Sequence, residues 1–335
     1  MPGPCGSRIT GVMFDAIRQL PGLSLALRAV DRLSRERRMA RHLRAARAIA
    51  STPPILPSHD GVIIFSMIGT ATLLPYLVAV KSFRHHLGMG RIVILDDGSL
   101  TEDDERTLAH HCGSPRILRI ADVDTGLCPQ GGTWERLLTV LDLRAEDYVI
   151  QLDSDTVTLG DVAEVRAAIA ANDSFLFLGG PDAEERGIEP LPDYVAHRYP
   201  NGPVDEPAHM QILVESRLVG LPDADRRLYV RGCAGFAGFA RGGPSGRAEA
   251  TRFSTAATRL VGDTIWWRWG SEQVTSNVLL ANEPGARLLP YHRYCNYWLQ
   301  RVTGDERLVH FVGTHRYSDA TYRRMTVRAI EQLTP

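Results

Sequence analysis

Short apolar segments alternate with longer segments of helical periodicity in the first half of the chain. In chain order, the four apolar segments and the three helical segments between them are 61–67, 73–87, 91–97, 103–112, 116–120, 132–143 and 148–152. This β-α-β-α-β-α-β order predicts an α/β fold with a parallel sheet and helices on both faces. Because ligands of such sheets bind beyond the carboxyl ends of the strands, we expect the functional site at that edge.

Two aspartates directly follow the fourth predicted strand. The strand, 148–152, is almost wholly apolar and runs into Asp153, Ser154 and Asp155. In an extended chain, side chains two residues apart point the same way, so both carboxylates can bind one cation. A carboxylate pair that holds Mg²⁺ or Mn²⁺ leaves coordination positions for phosphate oxygens, and the ligand it implies is a diphosphate. The alternative interpretation is a solvated acidic turn.

The first two predicted strands also end in polar residues. Ser66 and Gly69 lie at the end of the first strand, and Asp96 and Asp97 at the end of the second. A carboxylate there can accept hydrogen bonds from a uracil imide or a ribose hydroxyl, so these residues are candidates for binding a nucleoside that is attached to the diphosphate. The alternative is that 96–99 forms a type I turn followed by a helix cap. Both interpretations can hold for different residues of the turn.

Composition and charge exclude several classes of protein. The chain has 335 residues and a net charge of -1, so nothing global indicates nucleic-acid binding. Its five cysteines are scattered and include no CxxC, which argues for a reducing, cytoplasmic compartment and against a disulfide framework or a zinc site. We expect no transmembrane helix, because no window of about 18 apolar residues occurs. We also expect no secretory signal, because the N-terminal residues lack a basic segment followed by an apolar one.

Residues 1–57 are predicted to form a basic helical extension that precedes a larger domain at 58–335. Ten arginines stand against three acidic residues before position 56, and apolar residues recur at spacings of three, four and seven. This pattern is typical of amphipathic helices, and the prolines of 51–57 end any helix there. Such a helix can pack on its own domain with its arginines in water. The alternative is that residues 1–50 contact an anionic membrane.

Two blocks of sequence resemble those of a known enzyme family. Block 152–161 (LDSDTVTLGD) contains the aspartate pair, and block 309–317 (VHFVGTHRY) contains His310 followed by Gly313. They are similar to the Asp-x-Asp block and the C-terminal His-x-x-Gly-x-x-Lys-Pro-Trp block of the retaining glycosyltransferase family 8. The resemblance covers about residues 60–318. It implies a GT-A fold, which has a Rossmann-like, mostly parallel sheet, and an enzyme that uses a nucleotide sugar.

The resemblance also implies a role for each matching residue. The three residues that match the family's metal ligands, for Mn²⁺ or Mg²⁺, are Asp153, Asp155 and His310. Ser154 lies between the two aspartates, and Gly313 would contact the diphosphate. His315 and Arg316 fall near the position of the family's lysine, so that Arg316 would supply the positive charge on the phosphate. Arg136 stands where a basic residue often precedes the metal motif.

Two further segments match the family less closely. Segment 232–239 resembles its Asn-Ala-Gly segment, with Cys233 in place of asparagine, and segment 271–277 resembles its Asp-Gln…Asn block, with Glu272 in place of aspartate. By this match, Glu272 or Gln273 would position the donor sugar near its anomeric carbon. The two replacements leave the identity of the donor sugar open.

The sequence therefore predicts a metal-dependent glycosyltransferase that takes a sugar from a nucleotide diphosphate sugar, with a UDP-sugar as the expected donor and retention at the anomeric carbon. The acceptor hydroxyl can belong to a glycan, a lipid-linked sugar or a small molecule. A segment at 181–230, rich in Pro, Gly, Asp and Arg, is expected to recognise it. The tryptophans of 266–269 can stack on a sugar ring or fill the core.

Two other functions are also compatible with the sequence. The first is a sugar-1-phosphate nucleotidyltransferase, whose Gly-rich loop after the first strand is faintly similar to 69–75. Segment 69–75 lacks the preceding glycines and the arginine of that loop, and the catalytic lysine expected downstream is also missing. The second is a non-catalytic, nucleotide-binding relative of the same fold. Metal-dependent hydrolysis of a nucleotide sugar would separate an enzyme from such a relative.

Overall fold

The computed structural model describes residues 21–334, with side chains from Val30 onward, and its central element is a seven-stranded sheet. The strands are β1 (Val62–Ile68), β2 (Arg91–Asp96), β3 (Arg116–Arg119), β4 (Tyr148–Leu152), β5 (Thr156–Thr158), β6 (Phe175–Leu178), β7 (Glu189–Pro190), β8 (Leu228–Tyr229), β9 (Gly232–Phe239), β10 (Arg287–Leu288), β11 (Tyr294–Asn296) and β12 (Leu308–His310). The α-helices are α1 (Pro21–Ala46), α2 (Leu73–Leu87), α3 (Glu102–Cys112), α4 (Trp134–Leu143), α5 (Ala163–Ala171), α6 (Pro181–Arg186), α7 (Leu191–Arg198), α8 (Met210–Glu215), α9 (Arg247–Val261), α10 (Asp263–Trp266), α11 (Ser271–Ala281) and α12 (Thr321–Leu333).

The sheet order β10-β6-β9-β4-β1-β2-β3 confirms the predicted α/β fold. β1 pairs in parallel with both β2 and β4, and β2 pairs in parallel with β3. β9 is the exception, because it runs antiparallel to β4 and β6. Every residue of β4 is buried, as expected for a central strand with helices on both faces. The boundaries of the predicted elements shift by a residue or two, as where the helix predicted from 132 begins at Trp134.

A smaller sheet brings the C-terminal strand to the aspartate pair. β12 pairs antiparallel with β5, and His310 stands opposite Thr156. On its other side β12 pairs in parallel with β11, which places Asn296 opposite His310. The Phe311 amide also donates to the Asp155 carbonyl at 2.9 Å. Because β5 starts one residue after Asp155, this pairing fixes the histidine beside both carboxylates.

The described part of α1, with the short 3-10 turn at Arg47–Ser51 that follows it, packs on α2 and α12. Ala46 and Ile49 are fully buried and belong to the same apolar cluster as Tyr322 of α12. Most side chains between Val30 and Arg41 are exposed. The predictions made for residues 1–20, including Cys5, lie outside the described residues. Among the residues described, no helix has the length and apolar character needed to cross a bilayer.

Candidate functional site

Asp153, Asp155 and His310 converge at the carboxyl end of β4. The His310 Nε2 atom lies 3.1 Å from Asp155 Oδ1 and 3.8 Å from Asp153 Oδ2. One potential ligand atom from each of the three residues lies within 4.8 Å of the others. Asp153 is held in place by its own amide, which donates to the Gly235 carbonyl of β9 at 2.9 Å. The structure thus brings together the three residues that the sequence singled out as metal ligands.

Asn296 orients the His310 ring. Its Oδ1 atom lies 2.8 Å from His310 Nδ1, while its Nδ2 donates to the Leu178 carbonyl at 3.0 Å. With the amide fixed in this way, Nδ1–H donates to Asn296 and Nε2 points to the carboxylates, as is usual for a metal-binding histidine. The Cys233 Sγ atom also lies 3.5 Å from Nδ1. Although burial lowers the pKa of His310, the Asp155 carboxylate raises it well above its usual value.

The donor atoms fit a divalent cation. Two carboxylates and one imidazole are ligands that Mn²⁺ accepts, and the carboxylates also suit Mg²⁺. Three protein ligands leave coordination positions for other oxygens. Both aspartates and the histidine face one cavity of ≈ 600 Å³, so a cation held by them would be reachable by a ligand.

An arginine pairs with each aspartate of this cluster. Arg316 forms an ion pair with Asp155, and Arg136 forms one with Asp153. Burial opposes ionisation of Asp155, yet His310 and Arg316 hold its pKa below the usual value. For Asp153 the pKa is raised, because burial and the charge of Asp155 outweigh the effect of Arg136. The pKa values of the two carboxyl groups are therefore shifted in opposite directions, and Asp155 is the one held more firmly as an anion.

Glu272 is buried behind Arg136. Arg136 Nη2 lies 3.3 Å from both carboxylate oxygens of Glu272, and the Thr133 hydroxyl donates to Glu272 Oε2 at 2.9 Å. Burial raises the pKa of Glu272, while Arg136 opposes that shift. The chain of contacts Glu272–Arg136–Asp153 thus links the α11 helix to the aspartate cluster.

Gln273 connects the cavity to the 181–230 segment. Its Oε1 accepts from the Ala234 amide at 3.1 Å, and its Nε2 donates to Gln211 Oε1 at 2.9 Å. Gln211 in turn donates to Glu215 at 2.9 Å, and Glu215 also accepts from the Tyr229 hydroxyl at 2.7 Å. The segment predicted to recognise an acceptor therefore contributes a side chain, Gln211, to the cavity wall.

Most of the remaining predicted site residues also line the cavity. Those that do are Arg136, Ser154, Glu272, Gln273, Gly313 and Arg316. Two exposed tryptophans, Trp269 and Trp298, stand at its edge, while Trp266 is fully buried in the core. His315 does not line the cavity, and its ring lies 5.8 Å from that of Trp298.

The predicted nucleoside-binding residues do not reach this cavity. Ser66 is buried and its hydroxyl donates to the Leu152 carbonyl at 2.6 Å, so this hydroxyl is already engaged within the sheet. Asp96 accepts from the Gly98 and Leu100 amides at 2.9 and 3.1 Å, and Asp97 accepts from the Ser99 amide at 3.0 Å. Gly69 lies so close to Asp97 that a Cβ would collide with its carboxylate. The turn interpretation describes this segment.

Several residues of the site carry no signal in the sequence. Asn296, Gln211 and Arg231 line the cavity, yet each belongs to a segment without a recognisable motif. Met67 lines the cavity in place of Ser66. Only Arg231 is charged among them, and its partner Glu215 is fully buried 3.4 Å away.

Comparisons with known proteins find structural likeness only. No protein-family model matches the sequence, and no curated protein matches it. Among solved structures, the chain is similar to a galactosyltransferase, LgtC, in complex with donor and acceptor sugar analogues (13% identity, TM-score 0.47, 80% of this chain and 95% of that one). It is also similar to the bifunctional glycosyltransferase WbbM (14% identity, TM-score 0.46, 84% and 51%). A third similar structure is mouse xyloside xylosyltransferase 1 (12% identity, TM-score 0.42, 76% and 98%). Because the identities are at most 14% and the TM-scores at most 0.47, we infer function from the residues of the site itself.

Gly235→Ala is expected to weaken metal binding by about tenfold or more. An ideal Cβ at Gly235 would lie 2.5 Å from His310 Cε1 and 2.7 Å from Nδ1. The ring would have to move away from Asn296 or from Asp155. Calorimetric titration with Mn²⁺ measures the change, and Gly246→Ala is the control because a Cβ there meets nothing within 4 Å. Equal Mn²⁺ affinity of the Gly235→Ala variant and the wild type would contradict this account of the ring.

Proposed function

We propose that the protein is a metal-dependent glycosyltransferase that transfers a sugar from a nucleotide diphosphate sugar to an acceptor hydroxyl. The observation that carries this proposal is the cluster of Asp153, Asp155 and His310 on the wall of an open cavity. Arg316 lies beside this cluster and forms an ion pair with Asp155. Two aspartates and a histidine suit Mn²⁺ or Mg²⁺, and an adjacent guanidinium suits a phosphate. The expected donor is a UDP-sugar, as the family 8 resemblance implies.

The chemistry of the transfer explains why these groups stand together. Breaking a bond between a sugar and a diphosphate builds negative charge on the leaving phosphate. A divalent cation held by the cluster would supply Lewis-acid stabilisation of that charge. Arg316 would supply a second fixed positive group, since its guanidinium already faces the cavity beside Asp155. Gly313 would let the diphosphate approach the backbone, because the space where a Cβ would stand is open: apart from the two neighbouring residues of the chain, no atom lies within 4 Å of it.

Transfer with retention is supported by the state of Glu272. A general base must have a free oxygen within reach of the acceptor hydroxyl. Both oxygens of Glu272 contact Arg136, and one also accepts from Thr133. We propose that Glu272 positions Arg136, and that the leaving phosphate takes the proton of the incoming hydroxyl on the same face of the sugar. The Nε2 of Gln273, bonded once to Gln211, has a second N–H that can donate to the donor sugar.

The acceptor site is proposed at the mouth of the cavity. Trp269 and Trp298 are 66% and 50% exposed there, and an exposed indole face suits the apolar face of a pyranose. A glycan or a lipid-linked sugar fits this arrangement better than an acceptor without rings. We further propose a cytoplasmic, reducing location, since the described cysteines Cys112, Cys128, Cys233 and Cys295 are free thiols. Contact of residues 1–50 with an anionic membrane stays a proposal from their charge.

The nucleotidyltransferase alternative is disfavoured by the segment that would bind its phosphates. The Thr70 hydroxyl donates to Asp104 at 2.6 Å, and the Asp97 carboxylate lies against Gly69. Two carboxylates at this loop repel a triphosphate.

The direct test is incubation with a panel of nucleotide sugars with and without Mn²⁺, followed by chromatography of the nucleotides. We expect one nucleotide sugar to release its nucleoside diphosphate only when the metal is present. The release should be slow when the sugar is transferred to water and faster when a sugar acceptor is added. Formation of pyrophosphate from a nucleoside triphosphate and a sugar-1-phosphate would support the nucleotidyltransferase instead. Absence of turnover with every donor would contradict the proposal.

A further inference from the structure

Two arginines of α1 bind the loop that carries the proposed phosphate-binding residues. This loop, residues 311–320, joins β12 to α12. Arg35 Nη2 donates to the Gly313 carbonyl at 2.7 Å, and Arg38 Nε donates to the Tyr317 carbonyl at 2.6 Å. The two carbonyls stand on either side of Arg316 in the sequence. Each arginine therefore ties one end of the turn that presents Arg316 to the cavity.

An aromatic stack joins the same helix to both ends of the loop. The His42 ring is buried and stacks on Tyr322 with centroids 3.9 Å apart, and its centroid lies 5.6 Å from that of Tyr317. Tyr322 in turn stacks on Phe311 at 4.3 Å. Burial, with the nearby charge of Arg316, lowers the pKa of His42 to about 4. The ring is therefore neutral at neutral pH and packs as an apolar group.

The carbonyls of Gly313 and Tyr317 depend on α1 for their hydrogen bonds. Within the loop, the His315 and Arg316 amides both donate to the Val312 carbonyl at 3.0 and 2.9 Å, and the Ser318 amide donates to the His315 carbonyl at 3.0 Å. The Arg316 Nε atom also donates to the Phe311 carbonyl at 3.2 Å. The Gly313 and Tyr317 carbonyls accept instead from α1. A hydrogen bond from a charged donor is about twice as strong as one between neutral groups. Without both arginines the Gly313 and Tyr317 carbonyls would lose these donors, and the loop would be held by its internal hydrogen bonds, the Arg316–Asp155 ion pair and the hydrogen bond from Tyr297 to Asp319.

We infer that α1 is a positioning element of the donor site, in which Arg35 and Arg38 hold the 311–320 loop so that Arg316 meets the diphosphate. This inference rests on the proposed function for the identity of the ligand, but the contact between α1 and the loop does not. Arg35 and Arg38 touch neither the aspartates nor the histidine, so their role is in positioning. The helical extension is then required for donor binding and not for metal binding.

The test uses the full chain with the double change Arg35→Ala and Arg38→Ala. Its matched control is Arg37→Ala, an exposed arginine of the same helix. Hydrogen exchange without any ligand is followed at the His315 and Arg316 amides. We expect exchange at least tenfold faster in the double variant and unchanged in the control. Exchange rates in the double variant equal to those of the control would overturn the inference, whatever the protein binds.

Calorimetry of UDP and GDP binding in Mn²⁺ gives the second readout. We expect the double variant to bind the nucleoside diphosphate about tenfold more weakly and to bind Mn²⁺ alone normally. In steady-state kinetics, its donor KM should rise by a larger factor than its kcat falls. Lysine at both positions should restore part of the affinity, because it can still donate to the carbonyls. Faster exchange with unchanged nucleotide affinity would overturn the positioning role. If the wild-type protein binds neither nucleotide, while hydrogen exchange is still faster in the double variant than in the control, the proposed function would be overturned and the contact between α1 and the loop would stay supported.

Discussion

Asp155→Asn is expected to lower sugar transfer by about 10²- to 10³-fold, the loss that follows removal of one fixed electrostatic group at a developing charge. Asp155 contacts His310 through one carboxylate oxygen and Arg316 through the other. Asparagine keeps the size of the side chain and one oxygen, but it removes the negative charge that attracts both the cation and the arginine. The variant should therefore need far more Mn²⁺ and still reach a lower maximal rate.

Initial rates over a Mn²⁺ series measure this loss, and circular dichroism checks that the variant is folded. Asp161→Asn is the matched control, because Asp161 belongs to the same sequence block but is 59% exposed and pairs with Arg166 at the surface. We expect the control to retain wild-type rates. An Asp155→Asn variant that works normally at low Mn²⁺ would contradict a metal site at this aspartate.

His310→Ala and Arg316→Ala should separate metal binding from diphosphate binding. Removing His310 takes away the nitrogen ligand, so affinity for Mn²⁺ and for the nucleoside diphosphate should fall together, by about 100-fold for the metal. Removing Arg316 leaves all three proposed metal ligands in place. Its affinity for UDP in saturating Mn²⁺ should fall by about tenfold or more, while the affinity for Mn²⁺ alone changes little.

Paired calorimetric titrations, Mn²⁺ first and UDP second, measure both affinities for each variant. Arg293→Ala is a suitable control, because that arginine pairs with Glu164 away from the cavity. A His310→Ala variant with normal Mn²⁺ affinity would contradict the three-ligand assignment. An Arg316→Ala variant that binds UDP normally would remove the proposed role of that guanidinium.

The parts of the fold that local patterns encode could be predicted from the sequence. Four apolar positions in five predict β4. The helical periodicity of residues 73–87 predicts both ends of α2, which stops just before Gly88. His310 could be connected with the aspartates only through the resemblance. Its actual proximity depends on the pairing of β12 with β5, which no local pattern specifies.

The predicted residues that lie outside the cavity show where sequence patterns stop being informative. Ser66 lies in a strand buried on both faces, where apolar residues at almost every position do not reveal which side chains face the cavity. Met67, its neighbour, points there instead. Asn296 orients His310 from a strand only three residues long, so neither periodicity nor a motif marks it. The contacts of Arg35 and Arg38 also depend on how α1 packs, which the helical pattern of the sequence does not specify.

The most direct test of the central claim is thermal unfolding of the protein with a panel of nucleotide sugars, each with Mn²⁺ and with the metal chelated. A ligand that binds only the folded state stabilises it by about 2.7 kcal/mol at a hundred times its dissociation constant. We expect one nucleotide sugar, with a uridine diphosphate head, to raise Tm in Mn²⁺ and to have little effect after chelation. An equal rise in Tm after the metal is chelated would contradict a metal-dependent donor site. A panel in which no nucleotide sugar raises Tm would contradict the proposed function itself.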